Sequence, residues 1–470
     1  MPTRKAPGAP PQAGPPRNIG PGRFMAGAAA GSILILSSCS SLPPSVQPQV
    51  NGLVVANRLD RALHVLENQP QAYGAQNELL YILDRGMVLH LAGRYKESIA
   101  AFEQAKRKID QLYTQSISKL AGSWVVNDYT VPYRGEDYEH VLVNVFQALN
   151  FAALGEYEEA LVEARDVDAK LYLINRQYPE GQKNVYREDA FVRFLMGILY
   201  ELTGDARDLN DADVSYRQAL QIYERDYGPN YQVAVPLILK ENLLSVSQRF
   251  DPAAFRQYRG RFPDAHFFSL EDKQKNAEVY LVQYNGLGPL KIQNTFPVVL
   301  PDGYAVKLAF PRFSERVVET ASSRLLAQSD NGPGVSAPSE LGEDIQAIAQ
   351  KNLDNRRLRI YAKAALRPAA KYFLEKSQEG RVRDQWGETG TYVYRGLAGI
   401  YNVYSEQADL RTWQTLPAQI RLSRLILKPG DYALRVETVD ASGRSVETID
   451  LGRAALQAGQ KRFYLIRTAR

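Results

Sequence analysis

The stretch GMVLHLAGRYKESIAAFEQA, running from Gly86 to Ala105, decides how the first half of this chain folds. Its apolar residues return at three- and four-residue spacing on both sides of Gly93, the pattern of two helices joined by a tight turn. A second copy follows. Ala148-x6-Gly155-Glu156-Tyr157-x2-Ala160-Leu161-x2-Ala164-x2-Val167 repeats Gly86-x6-Gly93-Arg94-Tyr95-x2-Ser98-Ile99-x2-Phe102-x2-Ala105. A looser third copy carries Gly197, Tyr200, Gly204-Asp205, Ala212, Tyr216 and Ala219. Each copy places a small residue (Gly86, Ala148, Gly197) where two antiparallel helices come closest. Gly93 and Gly155 end the first helix, Tyr95 and Tyr157 pack back across the turn, and Ala105 and Ala219 leave room for the next unit.

These copies resemble tetratricopeptide (TPR) repeats, one pair of antiparallel helices per unit. Copies one and two start 62 residues apart (86 and 148), against about 34 for a simple repeat. An insert therefore intervenes, including Trp124 to Tyr138, which reads as a loop over one face. In TPR proteins, positions 2, 5, 9 and 12 of the first helix line a concave groove. Here they are Leu80, Leu83, Met87 and His90, then Leu142, Val145, Leu149 and Ala152, then Phe191, Phe194, Ile198 and Glu201. The candidate groove thus centres on Leu83, Met87, His90, Val145, Leu149, Phe191, Phe194 and Ile198. It lacks the Lys and Asn that TPR domains use to clamp a peptide carboxylate. Apolar faces of this size are not normally left exposed. Two occupants are open: another part of the chain, such as the Trp124 loop or a flanking helix, or a hydrophobic partner helix or lipid.

From about Asn276 the pattern changes to period two. Glu278–Asn285, Tyr304–Phe310, Gln419–Leu427, Tyr432–Val439, Ser445–Leu451 and Arg462–Thr468 read as strands, with Asp302-Gly303, Pro429-Gly430-Asp431 and Ser442-Gly443 as turns. The close spacing of the last four suggests an antiparallel sheet or sandwich. Ser329–Ser339 reads as a low-complexity loop, Asp344–Glu379 as a helix kinked at Pro368, and Tyr392–Gln407 as a further helical piece. The expected fold is α+β: an N-terminal α-solenoid over 52–275, then a β-rich, sandwich-like domain over 276–470 with a helical insertion at about 341–407.

The chain also resembles a family of bacterial TPR-containing outer-membrane lipoproteins. That likeness rests on Tyr133-Arg134-Gly135-Glu136-Asp137-Tyr138-Glu139, on Leu154-Gly155-Glu156-Tyr157-Glu158-Glu159-Ala160, and on Ala408-Asp409-Leu410-Arg411-Thr412-Trp413-x2-Leu416-Pro417. It implies an architecture and an envelope location, and supplies no catalytic residues.

The single cysteine, Cys39, ends Leu36-Ser37-Ser38-Cys39 after an apolar run from Phe24 and the basic residues Arg17 and Arg23. This resembles the lipobox of bacterial lipoproteins, which implies cleavage before Cys39 and acylation there by diacylglycerol and a fatty acid such as palmitate. Residues 1–38 are then a signal peptide, and 39–51, with Pro43, Pro44 and Pro48, a stiff lipidated tether. The apolar run is too short to span a bilayer. Ser40 in place of Asp favours transfer to the outer membrane, facing the periplasm. The chain has 57 basic and 52 acidic residues. Arg4, Lys5, Arg17 and Arg23 leave with the signal, so the mature chain is nearly neutral and offers no electrostatic basis for binding nucleic acid.

Nothing in the motifs calls for a cofactor or a metal. The histidines His64, His90, His140 and His266 have no metal-ligand spacing, and no nucleophile elbow or phosphate loop is present. Arg356, Arg357, Arg359, Lys363, Arg367 and Lys371 read as a solvated basic face opposite Ile348, Ile360 and Phe373, or as a surface for anionic lipid. Trp386, Tyr392, Tyr394, Tyr401 and Tyr404 read as core packing, or as a sugar-stacking platform. The leading expectation is a non-enzymatic scaffold or adaptor lipoprotein that binds a protein partner in cell-envelope assembly. A lipid- or glycan-binding lipoprotein is the alternative, and an unrecognised hydrolase a remote one.

Overall fold

A computed structural model describes residues 46–119, 129, 131–176, 186–202, 204–300, 304–330 and 332–468. Cys39, the signal segment, most of the Trp124 loop and the Asp302-Gly303 turn lie outside the described residues. The repeats are helix pairs: α3 (Glu78–Leu91) with α4 (Tyr95–Lys119), α5 (Asp137–Leu154) with α6 (Tyr157–Arg176), and α7 (Ala190–Tyr200) with α8 (Ala206–Ile222). Two short helices, α1 (Gln47–Val55) and α2 (Leu59–Asn68), precede them, and α9 (Leu237–Phe250), α10 (Pro252–Arg261) and α11 (Leu270–Lys275) follow.

The turns of the first two pairs are built alike. Gly93 and Gly155 have φ of 71° and 79°, the left-handed conformation that closes a helix at little cost to glycine. Behind them, Arg94 N–H donates to Leu89 O at 3.0 Å and Glu156 N–H to Phe151 O at 2.9 Å, satisfying carbonyls the helix would leave open. Helix starts are capped by acidic side chains. Glu136 and Glu139 form a reciprocal capping box on α5, and the Asp189 carboxylate accepts from Val192 N–H on α7.

The tether reading fails from residue 46 onward. Pro48 lies in the first turn of α1, where a missing N–H costs nothing, and Val46, Gln47, Val50 and Val54 are buried. α1 belongs to the folded core.

Among the described residues the β-rich part holds ten strands: β1 (Ala277–Asn285), β2 (Leu290–Val299), β3 (Ala305–Ser314), β4 (Ser322–Ser329), β5 (Val335–Pro338), β6 (Glu340–Asp344), β7 (Gln419–Leu427), β8 (Gly430–Val439), β9 (Ser445–Leu456) and β10 (Lys461–Thr468). One sheet has the order β10-β1-β7-β6 and a second β5-β4-β8-β9, while β2 and β3 form a separate hairpin. The last four strands are split between the two sheets, and β10 runs parallel to β1, so the closing segment is not one antiparallel meander. Ser329–Ser339, expected to be loop, contributes edge strand β5.

β1 is buried along its whole length. Because side chains alternate across a strand, its two faces meet different cores. Ala277, Val279 and Leu281 join Leu325, Ala327, Leu434 and Val436 of the second sheet between the layers. Tyr280, Val282 and Tyr284 instead join the helical core. The order is helices, first sheet, second sheet.

Between β6 and β7 lie α12 (Ile345–Asn355) and α13 (Arg357–Ser405). Pro368 does not break α13. Its one non-helical residue is Gly387 (φ 70°, ψ −167°). The chain reverses there, since Arg395 pairs with Glu379 and Arg383 with Glu388 across the bend.

Close helix approach at the small repeat residues generates a test. A Cβ on Gly197 would overlap the ring of Tyr216, which is buried and held by its hydroxyl donating to Glu201 at 2.7 Å. Gly197→Ala is expected to destabilise by about 1–3 kcal/mol despite alanine's better helix propensity, read as a lower urea midpoint.

Candidate functional site

The candidate groove is closed. Leu83, Met87, His90, Val145, Leu149, Phe191, Phe194 and Ile198 are all at most 1% exposed. The chain's own first sheet and the loop before β7 pack on this face; Trp124 lies outside the described residues. The Tyr284 ring lies against Phe146 and His90, Trp413 sets its edge on Phe102 and Phe146, and Gly342 passes close beside the Phe191 ring. The repeats supply an apolar surface with no covalent or local partner, and the inward side chains of β1 and β7 have the matching one.

His90 shows how the seam is satisfied. Asn150 Oδ1 lies 2.6 Å from Nδ1 and can only accept, so Nδ1 carries the proton and Nε2 accepts from the Tyr284 hydroxyl at 2.7 Å. Burial lowers its pKa to about 4. Glu201, at the end of the same face, sits in an ionic cluster. Lys273 and Lys461 reach it at 2.9 and 3.1 Å; Lys461 also pairs with Glu278, and Arg424 with Glu241 and Glu278. Burial pushes the Glu201 carboxyl up, but the two ammonium groups outweigh it and hold it below the usual range. Three cations meet three carboxylates.

The two sequence motifs at 133–139 and 408–417 come together. Glu139 accepts from Tyr133 OH (2.6 Å), Thr412 OH (3.0 Å) and Trp413 N–H (2.8 Å). Arg411 holds Asp409 with two N–H groups at 2.7 and 2.9 Å, donates to Val131 O, and lies between the rings of Tyr129 and Tyr133. Thr415 donates to Asp84 at 2.8 Å, and Gln47 of α1 donates to the same carboxylate at 2.9 Å. Burial raises Asp84 to about 6. Residues 408–415 thus join α1, the helix pairs and the sheet.

Beside this junction is a cleft of about 420 Å³. The loop before α5 forms one wall, the β2–β3 hairpin a second, and α12 with the start of α13 a third. Arg134, Glu136, Lys291, Arg356, Arg367, Asp409 and Arg411 line it, with an apolar strip of Leu353, Ile360 and Ala364. Lys291 and Arg356 both pair with Glu136. Burial lowers the Lys291 pKa. At Asp409, burial acts upward, but Arg411 outweighs it and keeps the carboxyl low. Sequence reading noticed both motifs without assigning them a cleft. The available signal was the density of charged residues inside otherwise apolar motifs.

The basic stretch on α12 and α13 is not a uniform solvated face. Arg356 and Arg367 line the cleft, and Lys371 pairs with Glu406, which is buried; Arg357 is exposed. Phe373, expected on the buried side, is 69% exposed. Trp386 and Tyr392 are 64% and 69% exposed rather than core. Among the described residues no helix is long and apolar enough to cross a membrane, and no group of three or more His, Cys, Asp or Glu is placed to hold a metal ion.

No family model matches the chain, and no curated protein matches it. Among solved structures it is similar to MamA 41-end from Desulfovibrio magneticus RS-1, at 13% identity over 47% of this chain and 90% of that one, with a TM-score of 0.29. It is also similar to the MamA RS-1 ArsTM double mutant, at 13% identity over 46% and 88%, with a TM-score of 0.28. Superposition this loose has no bearing on function. The helix pairs themselves suggest a protein–protein interaction scaffold.

Two tests follow from the seam. His90 has an ordinary pKa near 6.5 when unfolded and about 4 when folded. Its stabilising contribution is therefore complete above about pH 6.5 and drains as pH falls toward 4, by about 1.4 kcal/mol per pH unit. Urea unfolding at pH 7 and pH 5 should show this loss, and His90→Gln should flatten it. Lys461→Met leaves Glu278 and Glu201 short of a buried partner and should cost about 3–5 kcal/mol, whereas Arg453→Met, at an exposed ion pair with Asp330, should cost under about 1 kcal/mol.

Proposed function

We propose that the mature protein is a non-enzymatic scaffold or adaptor lipoprotein, anchored through Cys39 in the outer membrane and facing the periplasm, that binds a protein partner during envelope assembly. One observation carries the scaffold reading: three helix pairs stacked in series and braced by a sheet on their inner face. Such stacks expose long rigid surfaces rather than an enclosed reaction chamber. With the inner face occupied, a partner must meet the outer surface. Exposed apolar side chains outside the seam include Phe373, Leu374, Trp386 and Leu397 on α13, the insertion between β6 and β7.

The lipoprotein part rests on the Leu36-Ser37-Ser38-Cys39 sequence. Multiple acyl chains on one residue give the two-signal anchoring that a single chain cannot. A second reading, a glycan- or lipid-binding envelope lipoprotein, is favoured by the exposed Trp386 and Tyr392.

Cys39→Ala should move the protein from the membrane to the soluble fraction, and continued membrane attachment would end the lipoprotein assignment. A photo-crosslinking residue placed at 374, 386 or 397 in intact cells should give a discrete protein adduct, while placement at 149 or 198 should give none. Adducts to lipid or glycan alone would favour the second reading over the adaptor.

A further inference from the structure

We propose that Lys273 and Asn242 are joined by a side-chain amide bond that the folded chain makes itself, at a buried site between α9, α11 and the first sheet. The two groups already touch. Lys273, on α11, donates through Nζ to Asn242 Oδ1 at 2.9 Å, and Asn242, on α9, is wholly buried. Lys273 also donates to Glu201 Oε2 at 2.9 Å. Arg424 of β7 donates through Nη1 to the same Asn242 oxygen. The amide nitrogen is held separately. Asn242 Nδ2 donates to the Tyr216 hydroxyl at 3.1 Å, and that hydroxyl donates to Glu201 Oε1 at 2.7 Å. Glu201 thus connects the lysine nitrogen to the amide nitrogen through one hydroxyl.

An ion-pair network needs lysines against carboxylates. It does not need a buried asparagine whose oxygen takes an ammonium and a guanidinium together. That pairing draws electrons from the amide carbon and is placed to hold the oxyanion of a tetrahedral intermediate. A lysine becomes a nucleophile on losing its proton, and desolvation favours the neutral amine. Burial lowers the Lys273 pKa against the opposing pull of Glu201 and Glu278. Glu201 is the proton acceptor. Its burial acts upward, but the ammonium groups of Lys273 and Lys461 outweigh it and keep it a carboxylate. Fixing amine and amide side by side removes the entropy cost of their encounter.

The step balances without a co-reactant. Nζ passes one proton to Glu201 and attacks Asn242 Cγ, and the carbonyl electron pair moves onto Oδ1 beside Arg424. Glu201 returns that proton through the Tyr216 hydroxyl to Nδ2. The Cγ–Nδ2 bond breaks as the carbonyl re-forms, and Nδ2 leaves as ammonia. A second Nζ proton goes to Glu201, and the departing ammonia carries it off as ammonium. The new bond fastens α9 to α11, the helix that leads into β1. With Cys39 as its single cysteine, the chain has no internal disulfide to serve as such a brace.

The test is peptide mass analysis of the full chain after denaturation and digestion with trypsin. An acylated Lys273 is not cleaved, so the expected product is a branched peptide joining 241–249 to 262–275, lighter than the two together by one ammonia. Linear 241–249 and 262–273 as the only products of the unaltered chain overturn the proposal, whether or not any variant folds. Lys273→Arg should lose the branched peptide and lower the thermal midpoint. Glu201→Gln should lose it as well, and Tyr216→Phe should slow its appearance about tenfold or more. Branched peptide at full yield from folded Glu201→Gln overturns the proton relay. None of these outcomes touches the scaffold reading, which concerns a protein partner outside the seam.

Discussion

The structure depends on one strand with two apolar faces. β1 lies between two partners, with Tyr280, Val282 and Tyr284 against the helices and Ala277, Val279 and Leu281 against the second sheet. Strand geometry sends alternate side chains to opposite sides, so nine residues seal two cores at once. A one-residue slip would exchange the sets and put three-residue blocks of unlike shape into each interface. Its register is fixed on both edges, parallel to β10 and antiparallel to β7.

The polar groups at this junction are placed to tolerate burial. His90 stays neutral between an acceptor and a donor, Asp84 is ringed by donors from α1 and the loop before β7, and Glu201 shares Lys461 with Glu278. None of these partners is local in sequence. Networks of this kind contribute less to net stability than to fixing one arrangement, because a half-made network strands a buried charge. The consequence for function is direct. The repeat face, the apolar side of the helix pairs, is here an internal seam closed by the chain itself.

The repeats were legible because helix pairing is written locally. The small residues at 86, 148 and 197, the glycines at 93 and 155, and three- and four-residue apolar spacing all act within about 34 residues. Strands β1, β7, β8, β9 and β10 were legible from alternation. β2 was missed because Pro297 and polar residues interrupt its pattern, which a two-stranded hairpin outside both larger sheets tolerates. The α13 bend moved from Pro368 to Gly387 because a proline can be absorbed in an otherwise continuous helix, while a positive φ demands reversal at a residue that accepts it. The α1 tether was misread because proline serves equally in an extended segment and in a helix's first turn.

By itself, the sequence determined the pairing of helices, the position of most strands, the order of the two halves and the single thiol at Cys39. Each of these follows from backbone preference or from periodicity over a short window. Only the tertiary structure decided what fills the repeat face, which charges share the cleft at Glu136, and that α1 joins the core. Those outcomes turn on contacts between residues more than a hundred positions apart, such as Gln47 with Thr412, Asp84 with Thr415, or Glu136 with Lys291 and Arg356. No local pattern encodes such pairings, because each partner is compatible with many neighbours until the sheet closes on the helices.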